Sequence, residues 1–311
     1  MTSIVFGGSG FLGSHICEEL LKRGHEVVAV DDLSSGSTFN IEHLLLNGAF
    51  RFIECDISKK LPDLGTPTQI FNFASPASPP RYLSIPVHTL RTGSIGTLNA
   101  LDLANFFQCR LIMASTSEIY GDPLEHPQKE SYWGNVNPIG ERSCYDESKR
   151  FSEALCMGYH RQFGTNVGIL RIFNTYGPRM SPSDGRVVSN FIFAALSNKP
   201  LEIFGTGYQT RSLCFVSDLV EGIMRMSDST EIGPVNLGNP IELTVLDLAK
   251  TIIKLTDSKS EIVFKEPMKD DPMQRKPDID RAKNLLDWTP EVSLEIGLEK
   301  TINWMKGFKN V

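Results

Sequence analysis

Tyr145 and Lys149 stand four residues apart in a stretch with helical periodicity, so their side chains share one face of a helix. A tyrosine has an ordinary pKa of about 10 and is a weak base at neutral pH, but a nearby ammonium favours the phenolate and lowers that pKa. Thr116 follows an apolar run and could relay a proton between a substrate hydroxyl and Tyr145. These residue types predict a site for hydride transfer, although the Tyr-x-x-x-Lys spacing alone also suits a solvated helix face.

A glycine-rich turn precedes the first predicted helix. Gly8-x-Gly10-x-x-Gly13 has the spacing of a dinucleotide-binding turn, in which backbone N–H groups approach a pyrophosphate at a helix N-terminus. Asp31 lies 18 residues after Gly13, where a carboxylate would bind ribose hydroxyls and repel a 2′-phosphate. The pattern predicts NAD rather than NADP, and the alternative is a structural turn with a solvated aspartate.

Short apolar runs alternate with helical patterns in the first half of the chain. This alternation predicts an α/β fold, a Rossmann-type doubly wound parallel sheet that spans residues 1–172 and binds NAD, with a return segment near 211–238. The predicted strands are 3–6, 26–30, 50–53, 69–73, 110–114 and 166–173, and the helices are 11–23, 86–107 and 144–163. Residues 173–210 and 239–311 predict a smaller, irregular C-terminal lobe that binds substrate. The expected elements beyond residue 172 are helices at 187–196, 217–226, 243–255 and 294–306 and a strand at 201–204, and the helix at 217–226 falls in the return segment.

The order and spacing of these motifs resemble the extended short-chain dehydrogenase/reductase superfamily of nucleotide-sugar enzymes. Longer strings, spread over essentially the whole chain, resemble its UDP-glucuronate decarboxylase (UDP-xylose synthase) family. They are residues 74–80, 115–123, 132–138, 171–180, 184–191, 209–211, 235–240 and 275–278.

The resemblance implies an enzyme that uses one bound NAD twice. Tyr145 would take the C4 hydroxyl proton as C4 gives a hydride to NAD, CO2 would leave from the resulting 4-keto sugar, and the hydride would return to C4. The cofactor would emerge unchanged and stay bound. Arg275 would position the C5 carboxylate, and Glu118 would steer decarboxylation and C5 protonation or act only as a supporting hydrogen-bonding residue.

The resemblance also implies the remaining site residues. The catalytic set is Thr116, Glu118, Tyr145, Lys149 and Arg275. The cofactor set is Gly7, Gly10, Phe11, Leu12, Asp31, Asp32, Ser35, Gly36, Asp56, Ile57, Phe73, Ala74, Ser75, Thr92, Tyr145 and Lys149. The substrate set is Arg91, Asn99, Asn174, Arg186, Gln209, Arg211 and Arg275. No metal is expected, because the six histidines show no ligand spacing with one another or with the cysteines.

Four residues depart from the family pattern, and one of them is Phe6, where the family usually has Thr. Gly93 stands where the family pattern has Asn, so packing of the helix or the cofactor nearby should differ. Asp32 stands where Asn is common. Arg81 replaces an Asn beside the Pro-Pro turn, and we predict that it assists recognition of the sugar carboxylate.

Other functions share the same core motifs. A UDP-sugar 4-epimerase is the main alternative, because the glycine turn and the Thr/Tyr/Lys set also suit it. A sugar 4,6-dehydratase usually has an Asp before the Glu, where this chain has Ser117. A non-catalytic NAD-binding protein is disfavoured, because both Tyr145 and Lys149 are present.

The composition indicates which kinds of binding partner and which cellular compartment fit this protein. The 311 residues carry 31 basic and 37 acidic side chains, which argues against nucleic acid or an anionic membrane as the main partner. No apolar stretch has the length of a membrane-spanning helix, and the six cysteines show no CxxC spacing. A soluble cytoplasmic protein with a UDP-sugar substrate is expected. The resemblance also implies a homodimer through helices near 93–107 and 145–163.

Overall fold

The computed structural model describes residues 1–182, 184–266 and 274–307. The strands are β1 (Thr2–Phe6), β2 (Glu26–Asp31), β3 (Phe50–Glu54), β4 (Gln69–Asn72), β5 (Arg110–Thr116), β6 (Val167–Ile172), β7 (Thr175–Tyr176), β8 (Leu201–Phe204), β9 (Thr210–Ser212), β10 (Cys214–Phe215), β11 (Val235–Leu237), β12 (Glu242–Thr244) and β13 (Ile262–Lys265). The α-helices are α1 (Phe11–Lys22), α2 (Pro79–Ser84), α3 (Pro86–Arg91), α4 (Thr97–Phe107), α5 (Ser143–Phe163), α6 (Val187–Leu196), α7 (Val216–Asp228), α8 (Val245–Thr256), α9 (Asp280–Leu286) and α10 (Leu294–Lys306).

The central sheet is parallel throughout, with the strand order β3-β2-β1-β4-β5-β6-β11. This order confirms the predicted α/β, Rossmann-type doubly wound architecture. The chain reverses direction across the sheet between β1 and β4, and ligands bind at such a switch point, beyond the carboxyl ends of the strands. The glycine turn after β1 and the Thr116 segment after β5 therefore open onto one edge.

Alternate side chains of the central strands enter two apolar clusters on opposite faces of the sheet. Val5 belongs to the cluster that contains Ile16 and Leu20 of α1, whereas Ile4 belongs to the one that contains Ala100 and Leu101 of α4. Because successive side chains of a strand point to opposite faces, the consecutive apolar residues Ile4, Val5 and Phe6 of β1 require helices on both sides.

The remaining strands form three two-stranded pairs: β7 with β10, β8 with β13, and β9 with β12. The predicted helix at 187–196 and strand at 201–204 are confirmed by α6 and β8, whereas the strands of two or three residues were not predicted. Such strands are too short to show a period in the sequence. No helix within the described ranges is both long and apolar enough to cross a membrane.

The predicted helix at 86–107 is interrupted by a π-helical turn at Thr92–Gly96. Here α5 lies so close that a Cβ on Gly93 would be 2.6 Å from the Ser148 Cβ. The hydroxyl of Ser152 also donates a 2.6 Å hydrogen bond to the Gly93 carbonyl. Gly93, where the family pattern has Asn, is therefore a point of contact between the π-helical turn and α5, the helix that carries Tyr145.

Candidate active site

The turn between β1 and α1 is too tight for side chains. Gly7 has φ +78°, and a Cβ there would lie 2.7 Å from the Phe73 carbonyl. A Cβ on Gly13 would lie 1.9 Å from the Gly7 carbonyl oxygen. The backbone can therefore approach a ligand closely at the N-terminus of α1, where the helix dipole favours a phosphate group.

Asp31 is held rigidly at the end of β2. Its carboxylate accepts hydrogen bonds from the backbone N–H groups of Ser9 (3.1 Å) and Leu33 (2.9 Å). Burial raises the pKa of Asp31, and these hydrogen bonds oppose the rise. A Cβ on Gly36 would lie 2.8 Å from an Asp31 carboxylate oxygen, so this segment also needs a glycine.

A crevice runs along the carboxyl edge of the sheet from the glycine turn. Its walls contain Gly7, Gly10, Asp31, Asp32, Ser34, Ser35, Cys55, Asp56, Ile57, Phe73, Ala74, Ser75, Pro76, His88 and Thr92. Ser34, Pro76 and His88 were not predicted from the sequence. The i, i+4 spacing of His88 and Thr92 could have revealed His88. Among the predicted cofactor residues, Phe11, Leu12, Gly36, Tyr145 and Lys149 lie outside this wall. A tight glycine turn at one end and a fixed carboxylate beside it fit a dinucleotide.

Two contacts connect the helical segment after β4 to the loop after β2. The Nε of Arg81, on α2, donates a 2.5 Å hydrogen bond to the Ser34 carbonyl. The Nε2 of His88, on α3, lies 2.9 Å from an Asp32 carboxylate oxygen. Ligand atoms of Asp32, Asp56 and His88 all lie within 4.8 Å of one another. The structure therefore places Arg81 against the loop after β2, and its part in recognising the sugar carboxylate stays a prediction.

Thr116, Tyr145 and Lys149 meet at the carboxyl end of β5. The Thr116 hydroxyl is hydrogen-bonded to the Tyr145 phenol. The Lys149 ammonium lies 5.9 Å from the Tyr145 ring centroid and donates a 2.9 Å hydrogen bond to the Ala114 carbonyl. Burial lowers the pKa of Lys149 to about 8, so this side chain is still mostly protonated at pH 7.

The predicted lowering of the Tyr145 pKa is wrong for the protein without a ligand. Burial raises the pKa of Tyr145 to about 12, and only part of that rise is offset by the Thr116 hydrogen bond and the positive charge of Arg186. Lys149 directs its ammonium to the Ala114 carbonyl rather than to the phenol oxygen.

Tyr82 stacks on Tyr145, a contact that the sequence did not reveal. The two rings are nearly parallel, at 5°, with centroids 5.1 Å apart. Tyr82 is only 1% exposed, and its phenol oxygen has no hydrogen-bond partner in the part of the chain that the structure describes. The short helix α2 therefore supports the face of Tyr145.

Glu118 is held by two guanidinium groups. One carboxylate oxygen accepts a 2.5 Å hydrogen bond from Arg275, and the other accepts one from Arg142. Burial, the largest influence, favours the neutral acid, but the charges of Arg275 and Arg142 hold the pKa of Glu118 below its usual value. Glu118 is therefore ionised at neutral pH.

Gln128 fixes the segment that carries Arg275. Its side-chain oxygen accepts a 2.9 Å hydrogen bond from the Lys276 N–H, and its backbone carbonyl accepts one of the same length from Asp278. Arg275 is only 3% exposed and also donates to the Ser117 hydroxyl and the Gly121 carbonyl. A residue distant in the sequence is thus locked beside Glu118.

Asp146, beside Tyr145 on α5, was not predicted as a site residue. Burial and then the negative charge of Glu118 raise its pKa to about 7, and the charges of Arg142 and Arg275 act in the opposite direction. Asp146 lies four residues after Arg142, so the two side chains share a helical face. This spacing was the sequence signal that could have revealed Asp146.

Two of the predicted substrate arginines lie near this centre. Arg186 forms a double ion pair with Asp184, one contact of which is 2.8 Å, and its positive charge influences Tyr145. Arg211 donates to the Thr210 carbonyl, and its charge helps to lower the pKa of Glu118. Asn174 lies between β6 and β7.

The other predicted substrate residues do not join this group. Asn99 donates hydrogen bonds to the carbonyls of Ile57 (2.8 Å) and Lys59 (3.0 Å), because its face of α4 packs on the loop after β3. Arg91 lines a neighbouring depression with Lys59, at the far end of the cofactor crevice. The Gln209 side chain donates a 2.6 Å hydrogen bond to the Phe204 carbonyl within the C-terminal lobe.

Comparison with known proteins agrees with this geometry. Residues 3–238 match the model of the NAD dependent epimerase/dehydratase family. UDP-glucuronic acid decarboxylase 1 of Arabidopsis thaliana is 50% identical over 96% of this chain and 68% of the plant protein. The protein of that name from Xenopus tropicalis is 50% identical over 97% of this chain and 72% of its own length.

A solved structure is also similar over almost the full chain. The UDP-glucuronic acid 4-epimerase of Bacillus cereus, in complex with UDP-glucuronic acid and NAD, has a TM-score of 0.88 and 30% identity, with 99% of each chain covered.

Proposed function

The chain belongs to the NAD dependent epimerase/dehydratase family, and within it we propose that it converts UDP-glucuronate to UDP-xylose and CO2. The observation that carries this proposal is the cluster of Glu118, Arg142 and Arg275 beside Tyr145. A centre for oxidising a sugar alcohol needs Thr116, Tyr145 and Lys149, whereas two guanidinium groups, one buried and one partly buried, suit a substrate that also carries a carboxylate.

NAD is the cofactor of this family. The glycine turn would hold its pyrophosphate, and Asp31 would accept hydrogen bonds from its ribose hydroxyls. When bound, NAD supplies the hydride acceptor for C4 and a positively charged ring that favours the phenolate form of Tyr145.

Tyr145 and Thr116 move the proton of the C4 hydroxyl. The phenolate of Tyr145 accepts that proton as C4 is oxidised, and the Thr116 hydroxyl aligns the two oxygens through its bond to the phenol. The protonated phenol then donates to the C4 carbonyl oxygen. The same group returns the proton when C4 is reduced again.

The carboxylate leaves because its neighbour has become a ketone. Once C4 is a carbonyl, the C5 carboxylate is β to it, and the electrons of the breaking C5–C6 bond are delocalised onto the C4 oxygen. Arg142 and Arg275 orient the carboxylate, while Glu118 fixes both guanidinium groups. Protonation at C5 restores the ketone, and reduction at C4 gives the pentose.

The product of UDP-glucuronate tests this function against the epimerase alternative. The purified protein is incubated with UDP-glucuronate, and the nucleotide sugar is analysed by mass spectrometry together with released CO2. We expect a product lighter by the mass of CO2. A product of unchanged mass would identify a 4-epimerase, and no product would contradict both functions.

We also propose a homodimer through α4 and α5. Leu98 on α4 and Phe151 on α5 expose large apolar side chains, which a partner subunit would cover. Light scattering after chromatography should give twice the chain mass for the wild type and the chain mass for Leu98→Glu/Phe151→Glu. The six unpaired cysteine thiols support a reducing compartment such as the cytoplasm.

A further inference from the structure

We propose that Asp146 is a specificity-determining residue that sets how tightly the acidic sugar is held, by adding or withholding one negative charge beside the Glu118 cluster (Glu118, Arg142 and Arg275). This inference rests on the proposed function, because it assumes that the cluster receives the sugar carboxylate. Asp146 itself has no assigned part in the proton and hydride transfers described above.

The surroundings of Asp146 leave one of its oxygens available. Asp146 is buried, and its Oδ1 has no hydrogen-bond partner among residues 1–182, 184–266 and 274–307. Two other buried polar atoms of the same centre lack a partner within those ranges: the phenol oxygen of Tyr82 and the Nε of Arg275. Buried polar atoms in native proteins are nearly always satisfied, so a cluster of unsatisfied ones marks a place for a polar ligand or water.

Charged and titratable groups face Asp146 from three segments outside α5 and from α5 itself. Glu118 comes from the segment after β5, Arg275 from the segment before α9, and Tyr82 from α2. The helix α5 contributes Tyr145 and Glu147, and Arg142 immediately precedes its first residue. The positive charges in this set are the guanidinium groups of Arg142 and Arg275, and Arg211 adds a further one beside Glu118.

The charge of Asp146 therefore decides the net charge of the centre. With a neutral Asp146, the guanidinium groups of Arg142, Arg211 and Arg275 outweigh the negative charge of Glu118, and the excess positive charge attracts the carboxylate of the substrate. An ionised Asp146 reduces that excess by one charge. A uronate carboxylate would then be attracted more weakly, at a buried position where charges are weakly screened.

The direction of the pH effect follows from linkage. Burial raises the pKa of Asp146 to about 7, so both forms are present at neutral pH. A bound carboxylate repels the ionised form and raises the pKa of Asp146 further, so acidic-sugar binding is coupled to uptake of a proton. If the bound state holds Asp146 neutral, affinity weakens up to about tenfold between pH 6 and pH 8.

A comparison of acidic and neutral sugars tests this coupling. UDP-glucose has the same nucleotide and diphosphate as UDP-glucuronate but lacks the carboxylate. Binding of each is measured by calorimetry at pH 6 and pH 8 to the NAD-loaded protein, with Tyr145→Phe present so that the substrate is not consumed. We expect UDP-glucuronate to bind up to about tenfold more weakly at pH 8, and UDP-glucose to bind equally at both values.

Asp146→Asn should abolish the difference, because the amide has the same shape and no charge. Its affinity for UDP-glucuronate at pH 8 should equal that of the parent protein at pH 6. Glu147→Gln is the matched control, since it removes one negative charge from the next, more exposed position of α5 and should keep the pH dependence. Thermal unfolding of each variant verifies that the fold is retained.

The inference is overturned if Asp146→Asn keeps the parent pH dependence, or if UDP-glucose shows the same dependence as UDP-glucuronate. Release of CO2 by the wild type reports separately on the proposed function. CO2 release together with pH-independent binding would refute only the role of Asp146. Carboxylate-specific, pH-dependent binding without CO2 release would support that role and refute the decarboxylase.

Discussion

The phenol of Tyr145 is a poor base in the protein without ligands, since burial raises its pKa to about 12. The groups nearest to it include both signs of charge: Arg186 favours the phenolate, and Glu118 and Asp146 disfavour it. A positively charged ligand ring beside the phenol would lower this pKa and favour the phenolate.

Tyr145→Phe should reduce both alcohol oxidation and CO2 release at least about a hundredfold, because the ketone must form before the carboxylate can leave. Absorbance of the reduced nicotinamide in a single turnover reports the first step, and labelled CO2 reports the second. Continued CO2 release by Tyr145→Phe would contradict the proposed order of steps.

Tyr82 provides a separate prediction, because its ring and its hydroxyl can be removed one at a time. Tyr82→Leu removes the stacked ring, an interaction of about 0.5–1.5 kcal/mol, and should lower kcat several-fold as Tyr145 loses its orientation. Tyr82→Phe keeps the stack and removes a hydroxyl without a partner in the described structure, so thermal stability should be equal or higher. A loss of kcat in Tyr82→Phe as large as in Tyr82→Leu would show that the hydroxyl, rather than the ring, is required.

At the scale of elements, the π-helical turn and α5 fit each other at Gly93 and Ser148. The turn lies on the helical segment that also carries Thr92 of the cofactor crevice, and α5 carries Tyr145 and Lys149. Their separation therefore sets how far the catalytic helix stands from the cofactor wall.

Gly93→Ala should destabilise the protein by about 1–3 kcal/mol, because the new Cβ would overlap Ser148. Ser148→Gly in the same chain should recover part of that loss, which a double-mutant cycle measured by urea unfolding would detect. Gly158→Ala on α5 is the control: nothing lies within 4 Å of the new Cβ, and stability should rise by about 0.5–1 kcal/mol. Equal destabilisation by Gly93→Ala with and without Ser148→Gly would contradict the proposed overlap.

The elements that the sequence predicts well have a period and clear ends. The helix at 294–306 is confirmed by α10, because its apolar residues recur at helical spacing and Ser293 caps its first turn. Tyr82, Arg142 and Asp146 were missed because their importance depends on contacts between α2, α5 and the segment after β5. Spacing along one element reveals which residues share a face, but not which distant side chain meets that face.

At the scale of the whole molecule, residues from several strands and a helix line the cofactor crevice, so one ligand would contact all of them. Its walls come from the ends of β1, β2, β3 and β4 and from α3. A ligand that binds only the folded state stabilises it, by about 2.7 kcal/mol at a hundred times its Kd. Cofactor choice should therefore be visible in the unfolding temperature.

NAD should raise the melting temperature by several degrees, whereas NADP at the same concentration should raise it much less, because its 2′-phosphate would meet the buried carboxylate of Asp31. Differential scanning fluorimetry measures both shifts, and AMP with 2′-phospho-AMP provides the matched comparison without nicotinamide. An equal rise in melting temperature with NADP and with NAD would contradict the proposal that Asp31 binds the ribose hydroxyls of NAD.

The contacts of Arg81 with Ser34 and of His88 with Asp32 have a consequence for the cell. Both contacts join the helical segment after β4 to the loop after β2, two walls of the cofactor crevice, so they would slow the exchange of a bound dinucleotide relative to a reaction that regenerates it in place. The cellular ratio of oxidised to reduced nicotinamide would then have little effect on the activity of the enzyme. Its output would follow the supply of acidic sugar and continue unchanged while metabolism shifts between oxidising and reducing conditions.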